Sequence, residues 1–410
     1  MAKEERKIIV GLDIGTSKIV AIIAEALADD KYRIIGIGQN ESKGLKKGIV
    51  VDLDTTVASI ETALKEAETM AGENADVVCT GIAGGHIRSF NSPGMISLKN
   101  REISQYDVDR ALDLAKVIRM PEGHQFIHAV TQEFIVDGQE GVKDPIGMSG
   151  MRLEVKAHVV TGAVSAVDNI VKCVRRCNLD VSDLILQPIA SADAVLTDEE
   201  KKMGVVLIDI GGGTSDIAVY TDNAVRHTSV IPIAGDQVTN DIAMIFRTPA
   251  ADANEIKMRY GAAMKSMVSP DETVVAPGIG GRPAAQYPRQ MLAAIIEARM
   301  AELFENAKKI IDNSGYEPYI ASGIVLTGGG VLLPGMLQLA EKIFGRHVRL
   351  GVPQYDGNLA DIVKSPRYST IHGLLLEAIR QQKQGKDPVT KQDATGGFLT
   401  KLKTWLWGNI

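Results

Sequence analysis

Two segments of the chain place an acid, glycines and hydroxyl groups between apolar runs. One is DIGTS at residues 13–17, and the other is DIGGGT at residues 209–214. The flanking runs are rich in β-branched residues, so each segment predicts a strand, a tight turn and a second strand. Glycines let backbone N–H groups approach a phosphate, and an acid ending a strand can hold a divalent metal, directly or through water. Both segments are interpreted as phosphate-binding hairpins.

The occurrence of the pattern twice is stronger evidence for phosphate binding than either copy alone. A single glycine-rich turn could be purely structural, and the likeness of the two copies could be chance. One copy in each half predicts two similar domains that face each other, with Asp13 and Asp209 converging on one metal ion. A third segment, IVLTGGG at residues 324–330, predicts a buried strand followed by glycines. Helical spacing after Pro334 then indicates another place where a ligand can lie against backbone.

Composition narrows the classes of function. The chain has 410 residues and is 45% apolar, enough for two or three cores. Its net charge of −6 argues against a general nucleic-acid binder, and 4% aromatic residues argue against base-stacking platforms. Three cysteines form no disulfide framework, which favours a reducing compartment. Without an apolar signal core near the start or a run of membrane-spanning length, we expect a cytoplasmic protein.

The texture of the sequence changes between residues 85 and 165. Polar turns alternate there with a helix after the N-cap candidate Ser104 and with strand-like runs at 125–130, 132–136 and 153–161. We interpret this region as an inserted subdomain. His124 and His128 lie within it and could ligate a metal, but no acid separates them, so core or surface histidines are the favoured interpretation.

The C-terminal end has two parts. Residues 381–397 are almost wholly polar and predict a flexible tether. Residues 398–410 have helical spacing of bulky apolar side chains, basic flanks and no acid, which is typical of a helix lying in an anionic membrane surface. The alternative is a terminal helix docked on its own domain. The membrane-facing set is Phe398, Leu399, Leu402, Trp405 and Leu406, flanked by Lys401 and Lys403.

The order of the hairpins and the glycine segment resembles the actin, Hsp70 and sugar-kinase superfamily. Together with the insertion and the tail, the motifs identify the chain as a member of the bacterial cell-division family FtsA over essentially its whole length. The motifs are DIGTSK (13–18), GIAGGHI (81–87), DIGGGTSDIAVY (209–220), AGDQVTNDIA (234–243), IIEAR (295–299), IVLTGGG (324–330) and YSTIHGLL (368–375).

The resemblance implies an α/β, actin-like ATPase fold: two ribonuclease H-like domains produced by duplication, an inserted α+β subdomain and a C-terminal amphipathic helix. The implied divisions are 1–84 with 166–203 as subdomain 1A, 85–165 as 1C, 204–244 with 315–380 as 2A, 245–314 as 2B, 381–397 as linker and 398–410 as the membrane helix.

The family further implies ATP and Mg²⁺ in the cleft. Gln187 would position the attacking water, and because an amide cannot take its proton, any hydrolysis should be slow. Glu255 and Lys257 would form the ribose and adenine rim, or a solvated helix start; Asn254 stands where family members often carry an acid. Asp13 and Asp209 would face the metal through water. The residues carried over to ATP are Gly15, Thr16, Ser17, Lys18, Gly211, Gly212, Gly213, Thr214, Gly235, Glu255, Lys257, Gly328, Gly329 and Gly330.

The implied partners are the C-terminal peptide of FtsZ, further copies of the chain in head-to-tail filaments, other division proteins on residues 85–165, and an anionic membrane, with no nucleic acid. The implied location is the cytoplasmic side of the bacterial inner membrane at the division site. Arg299 is the candidate for contact with the FtsZ peptide terminus, although a basic side chain suits any exposed helix. ATP would act mainly as a switch of polymer and conformation.

Three other functions share parts of the pattern. A sugar kinase shares the hairpins but needs a base beside a second substrate and has no use for the tail. A pilus-assembly scaffold usually engages a membrane protein's peptide instead of carrying an anchor. An Hsp70-like chaperone needs a β-rich domain after the ATPase unit.

Overall fold

The computed structural model describes residues 7–29, 31–117 and 120–383. The strands of this part of the chain are β1 (Ile8–Ile14), β2 (Lys18–Ala26), β3 (Tyr32–Glu41), β4 (Leu45–Lys46), β5 (Ile49–Val50), β6 (Val77–Ile82), β7 (Arg88–Glu102), β8 (His124–Val136), β9 (Gln139–Val142), β10 (Ser149–Ala163), β11 (Asp180–Leu186), β12 (Val205–Ile210), β13 (Ser215–Thr221), β14 (Ala224–Ile231), β15 (Thr273–Ala276), β16 (Ala285–Pro288), β17 (Ile324–Thr327) and β18 (Val348–Leu350).

The helices are α1 (Leu53–Ala71), α2 (Gln105–Lys116), α3 (Val164–Arg176), α4 (Gln187–Val195), α5 (Asp198–Met203), α6 (Gly235–Phe246), α7 (Ala250–Tyr260), α8 (Arg289–Asn313), α9 (Met336–Phe344), α10 (Ala360–Val363) and α11 (Ser369–Lys383). Short 3₁₀ turns lie at Lys265–Met267, Glu317–Tyr319, Gly329–Leu332 and Pro366–Tyr368.

The first half is built on a five-stranded sheet in the order β11-β6-β1-β2-β3. The first three strands of the chain form an antiparallel meander, and β6 and β11 add in parallel beside β1. Both faces of the meander are covered, because Leu12 on one face packs with α1 and α3 while Ile22 on the other packs with α11. This double covering explains why β1 and β2 read as continuous apolar runs.

The second half repeats this connectivity. Its sheet has the order β14-β13-β12-β17-β18, again an antiparallel meander with two parallel strands beside the first strand. Helices α6, α8 and α9 cover one face, and α4 covers the other. The predicted duplication of strand, turn and strand is therefore confirmed at the level of the whole sheet.

The insertion is a separate four-stranded sheet, β7-β10-β8-β9, with α2 on one face. Ser104 is the N-cap of α2, as predicted. The runs predicted at 125–130 and 132–136 form one strand, β8, and β7 was not predicted because Pro93 and Gly94 interrupt its pattern. A Cβ at Gly94 would lie 2.0 Å from the Ala111 carbonyl oxygen, so this glycine lets α2 pack close to the sheet.

Side chains of the insertion bond to β14 at the edge of the second sheet. His158 is buried and its Nε2 lies 2.9 Å from the Thr228 hydroxyl. The backbone oxygens that accept from the insertion are those of Thr228 from Ser89 at 3.2 Å, Arg226 from Asn91 at 2.9 Å and Val225 from Gln132 at 2.7 Å. The insertion therefore contacts the first half through its chain connections and the packing of Ile127 and Val160, and the second half through this polar seam.

Residues 271–287 are rich in proline and glycine, which favours a loop, but part of this range forms strands. Strands β15 and β16 pair there as a small antiparallel hairpin. Val274 is buried and the Tyr287 ring stacks on Phe246 at 4.2 Å, so two anchor residues hold the hairpin despite its proline- and glycine-rich connection.

Helix α11 packs on the first sheet, although the predicted division assigns it to the second half. Ile371 and Leu375 lie where a Cβ at Gly11 would meet them at 3.1 and 3.3 Å. Within the described part of the chain, no helix has the length and apolarity needed to cross a bilayer. The predicted membrane helix, with Phe398, Leu399, Lys401, Leu402, Lys403, Trp405 and Leu406, lies outside the described residues, as does the tether beyond Lys383.

Candidate nucleotide-binding cleft

The two hairpin turns close with the same hydrogen bond. The Gly15 amide donates to the Lys18 carbonyl at 3.1 Å, and the Gly211 amide donates to the Thr214 carbonyl at 3.0 Å. Each glycine stands two positions after the acid that ends its strand, Asp13 or Asp209. The equivalence predicted from the sequence therefore extends to the local backbone.

The two turns lie against each other. A Cβ at Gly212 would be 2.7 Å from the Ser17 Cβ, and a Cβ at Gly213 would be 2.6 Å from the Thr16 hydroxyl oxygen. Side chains at either glycine would push the hairpins apart. The structure thus brings together the predicted phosphate-binding residues of both halves, with backbone facing side chain.

Asp13 and Asp209 are almost fully buried at the strand ends. Asp13 accepts a hydrogen bond from the Gln187 amide at 3.2 Å, which places the predicted water-positioning residue beside the predicted metal acid. Burial raises the pKa of Asp13 to about 6, with Lys18 opposing the rise and Asp209 adding to it. Burial also raises the pKa of Asp209, against the hydroxyl groups that hydrogen bond to it.

Those hydroxyl groups belong to two residues that the sequence interpretation missed. Ser191 on α4 donates to the Asp209 carboxylate at 2.5 Å, and Thr370 on α11 donates to it at 3.3 Å. Thr370 lies inside the motif YSTIHGLL and Ser191 lies four positions after Gln187, but a hydroxyl in a helix gives no local sign of the distant acid that it faces.

Asp216 is a third acid in the cleft and was also missed. It pairs with Asp209 across β12 and β13 and is 4% exposed. One carboxylate oxygen accepts from Thr214 at 3.3 Å, while Oδ1 has no partner among the described residues. Burial, with the charges of Asp209 and Asp13, raises its pKa well above the usual range. An acid within an otherwise apolar strand was the signal available in the sequence.

The acids suit a hydrated divalent cation. Such an ion supplies positive charge and water donors, and the orphaned Oδ1 of Asp216 needs a donor. In the described residues, no three acidic, histidine or cysteine groups converge closely enough to ligate one ion directly. A Mg²⁺ ion here would be held partly through water, with Asp13 and Asp209 as the nearest charges.

Lys18 extends from the first hairpin toward the C-terminal part of the cleft. Its ammonium group donates to the Arg367 carbonyl and lies 4.1 Å from the centre of the Tyr368 ring. Burial lowers the pKa of Lys18 to about 8; Asp13 opposes this change and the Arg367 charge adds to it. Neither Arg367 nor Tyr368 was predicted as a site residue.

The third glycine segment lies against the second hairpin. Gly328 has φ of 89°, and a Cβ there would be 2.3 Å from the Asp209 Oδ1. A Cβ at Gly330 would be 2.5 Å from the Ile210 Cγ2, whereas Gly329 faces the stem of Arg367. The close approach at Gly328 therefore requires the residue that has no Cβ.

The start of α6 also reaches the second hairpin. The Gly235 amide donates to the Gly211 carbonyl at 3.2 Å. Lys257 donates to the Gly235 carbonyl at 3.0 Å and to the Thr239 hydroxyl at 2.7 Å, which brings it into the cleft. Glu255 instead pairs with Arg259 at 3.0 Å on the exposed side of α7.

Arg299 lies away from these contacts. Its guanidinium binds both oxygens of Asp241 at 2.7 and 3.0 Å and also pairs with Glu302 at 2.5 Å. The ion pair with Asp241 holds α8 to α6, whereas the pair with Glu302 lies within α8. A partner's carboxylate would therefore compete with two acids of the chain itself.

The histidines of the insertion have structural surroundings. His128 is partly buried, with Nδ1 3.4 Å from the Leu184 carbonyl oxygen, and His124 Nδ1 is 3.5 Å from the Thr161 hydroxyl. Burial lowers the pKa of His128 to about 4.

Sequence profiles of two families match the chain. The profile described as cell division protein FtsA matches residues 206–373, and that of the SHS2 domain inserted in FtsA matches residues 84–161. The cell division protein FtsA of Pseudomonas aeruginosa is 49% identical over 410 residues, covering 98% of each chain.

Two solved structures share the fold at low sequence identity. The PilM–PilN type IV pilus biogenesis complex superposes with a TM-score of 0.66 and 16% identity, covering 92% of this chain and 99% of that one. MreB5 of Spiroplasma citri bound to ADP superposes with a TM-score of 0.53 and 13% identity, covering 92% and 98%. These likenesses confirm the predicted actin-like fold.

Proposed function

The chain belongs to the FtsA family of cell-division proteins, and on that premise we propose that it binds ATP with Mg²⁺ in the cleft, assembles with copies of itself and tethers FtsZ filaments to the membrane. The observation that supports nucleotide binding is the pair of equivalent hairpins. The glycines of one hairpin lie against the hydroxyl side chains of the other, beside three buried acids. A fold neighbour, MreB5, was solved with ADP, which supports the same use of this fold.

The residues of the cleft have separate roles in binding nucleotide and cation. Backbone N–H groups of the two turns face the phosphates, and the Lys18 ammonium group supplies positive charge. Asp13, Asp209 and Asp216 accept hydrogen bonds from water around a cation, which neutralises phosphate charge when bound. Contacts with both hairpins would favour the closed arrangement of the two halves, so nucleotide acts as a conformational switch.

Turnover should be slow. Gln187 donates its amide hydrogen to Asp13, which leaves the amide oxygen as an acceptor that can orient a water. An amide does not take a proton at neutral pH, so no efficient general base acts at this position. The proposed role of ATP is therefore assembly control rather than continuous hydrolysis.

Membrane attachment is proposed from the sequence of residues 398–410. One short amphipathic helix binds an anionic surface weakly, and filament assembly multiplies the tails that act together. The tether follows α11, whose last turn donates from Gln382 to the Ile8 carbonyl at 2.9 Å. The first half would therefore face the membrane through the tether.

The FtsZ peptide is proposed to bind residues 245–314, with Arg299 as a candidate contact. Because Arg299 is held by Asp241 and Glu302, a peptide carboxylate would have to displace one of these acids. Downstream division proteins are proposed to bind the insertion.

Liposome co-sedimentation tests the tether. The full chain and a truncation ending at Gln384 are mixed with phosphatidylglycerol vesicles or neutral phosphatidylcholine vesicles, with or without Mg-ATP and the FtsZ C-terminal peptide. We expect full-length protein and peptide to pellet together with anionic vesicles, most strongly with Mg-ATP, and the truncation to remain in solution. Equal pelleting of the full chain and the truncation, or pelleting of neither, would refute a membrane role for the tail.

A further inference from the structure

Arg367 lies where two elements of the cleft meet. It occupies the 3₁₀ turn Pro366–Tyr368, just before α11. Its carbonyl accepts the hydrogen bond from Lys18 of the first hairpin. Its side-chain stem packs beside the third glycine segment, since a Cβ at Gly329 would lie 3.7 Å from the Arg367 Cγ. Backbone and side chain thus contact different parts of the candidate nucleotide site.

The guanidinium group has no counter-charge of its own. Arg367 is exposed, and within the described ranges its guanidinium makes no ion pair and no hydrogen bond. Its charge instead acts on the Lys18 ammonium group, on which the charges of Asp13 and Asp209 act in the opposite direction. Two cations near one another at the mouth of a cleft repel unless an anion lies between them.

The neighbouring backbone is fixed. The Gly328 amide donates to the Pro366 carbonyl at 3.1 Å, and Thr327 and Ser369 share a hydroxyl hydrogen bond at 2.6 Å. The Tyr368 ring is buried under the Lys18 ammonium group. Arg367 therefore projects from a rigid turn, and little ordering of the backbone would be needed to bind a ligand.

We propose that Arg367 is a phosphate-binding residue of the nucleotide site, acting with Lys18 from the side of the third glycine segment. The proposal rests on the ATP binding proposed above and adds a residue to it. A guanidinium group presents two parallel N–H donors to phosphate oxygens, which an ammonium group does not. Arg367 should therefore contribute to affinity for nucleoside di- and triphosphates and not to affinity for adenosine.

Isothermal titration calorimetry on the full chain tests this assignment with Mg-ATP, Mg-ADP and adenosine. The variants are Arg367→Gln, which removes the charge, and Arg367→Lys, which keeps the charge but loses the paired donors. Arg282→Gln is the matched control, because Arg282 is an exposed arginine in the loop between β15 and β16. Thermal unfolding without nucleotide shows whether each variant folds.

We expect Arg367→Gln to weaken ATP and ADP binding about tenfold or more, the range of a hydrogen bond to a charged group. Arg367→Lys should lose less affinity for ATP and ADP than Arg367→Gln. The affinity for adenosine should be unchanged in both variants, and the Arg282→Gln variant should bind all three ligands as the unsubstituted chain does. Unchanged ATP and ADP affinity in Arg367→Gln, or an equal loss for adenosine, overturns the assignment. If the unsubstituted chain binds neither ATP nor ADP, the proposed nucleotide function fails as well.

Discussion

Gly373 marks the closest approach of two helices that connect the halves of the molecule. It lies in α11, and a Cβ there would be 1.8 Å from the Ala190 carbonyl oxygen of α4. Replacement of Gly373 by alanine has two opposed effects on the free energy of unfolding. Helix propensity alone favours alanine by about 1 kcal/mol. The contact opposes it, because the obstacle is backbone, which no rotamer change can move.

The close contact between α11 and α4 should outweigh the gain in helix propensity, so that the substitution destabilises the fold. Restoring an ordinary separation of about 3.4 Å requires the helices to move apart by roughly 1.5 Å, and overpacking of this kind costs about 1–3 kcal/mol. Subtracting the propensity gain of about 1 kcal/mol leaves a net loss in free energy of unfolding of up to about 2 kcal/mol, which lowers the melting temperature by at most roughly 4–8 °C for a domain of about 200 residues. The shift also separates Ser191 from Thr370, whose hydroxyl oxygens lie 3.0 Å apart beside Asp209.

Thermal unfolding followed by circular dichroism measures the effect in Gly373→Ala, and calorimetry with Mg-ATP measures its consequence for the cleft. Gly85→Ala is the control, since a Cβ at Gly85 meets nothing within 4 Å. We expect a lower melting temperature and weaker ATP binding in Gly373→Ala only. A melting temperature equal to or above that of the unsubstituted chain would show that the helix contact does not constrain the fold as argued.

Three further substitutions test other contacts. Gly328→Ala places a Cβ 2.3 Å from the Asp209 carboxylate at a φ of 89°, so we expect at least tenfold weaker ATP binding in calorimetry, with a native far-UV spectrum. Thr228→Val leaves His158 Nε2 without its hydrogen-bond partner, so we expect the free energy of unfolding, measured in urea, to fall by about 1–3 kcal/mol. An unchanged free energy of unfolding would mean that the polar seam does not stabilise the fold. The Asp107 carboxylate accepts hydrogen bonds from Arg101 and Ser104, which hold the pKa of Asp107 below its ordinary value of 3.8. The charged carboxylate therefore stabilises the fold above about pH 4, and this contribution is lost as the pH falls. Asp107→Asn should have a lower melting temperature than the unsubstituted chain at pH 7, and the difference should shrink when the melting is measured in acid.

The elements with strong periodicity were predictable. Helix α1 runs from Leu53 to Ala71, and its sequence indicates this because one apolar face recurs over five turns and Asp52 caps its start. The hairpins were predictable because their glycines and acids recur at equal spacing. Strand β7 was not, since the interruption by Pro93 and Gly94 has its reason in a helix that packs there.

The cleft was predictable only where a motif is local. Residues 13–18 and 209–214 carry their pattern within a few positions, and the structure brings them together. Ser191, Thr370 and Arg367 reach the site through contacts across many residues of sequence, which no short pattern encodes. Such residues become visible only when the packing of α4 and α11 is known.

The polar seam on β14 also bears on how copies of the chain avoid wrong association. A strand at the edge of a sheet displays unpaired carbonyl and amide groups, which can recruit a strand from another molecule. Here side chains of the insertion cap carbonyl groups of that edge, at Val225, Arg226 and Thr228. A protein concentrated at one place in the cell gains from this capping, because it closes a route to irregular aggregates while leaving other faces free for ordered contacts.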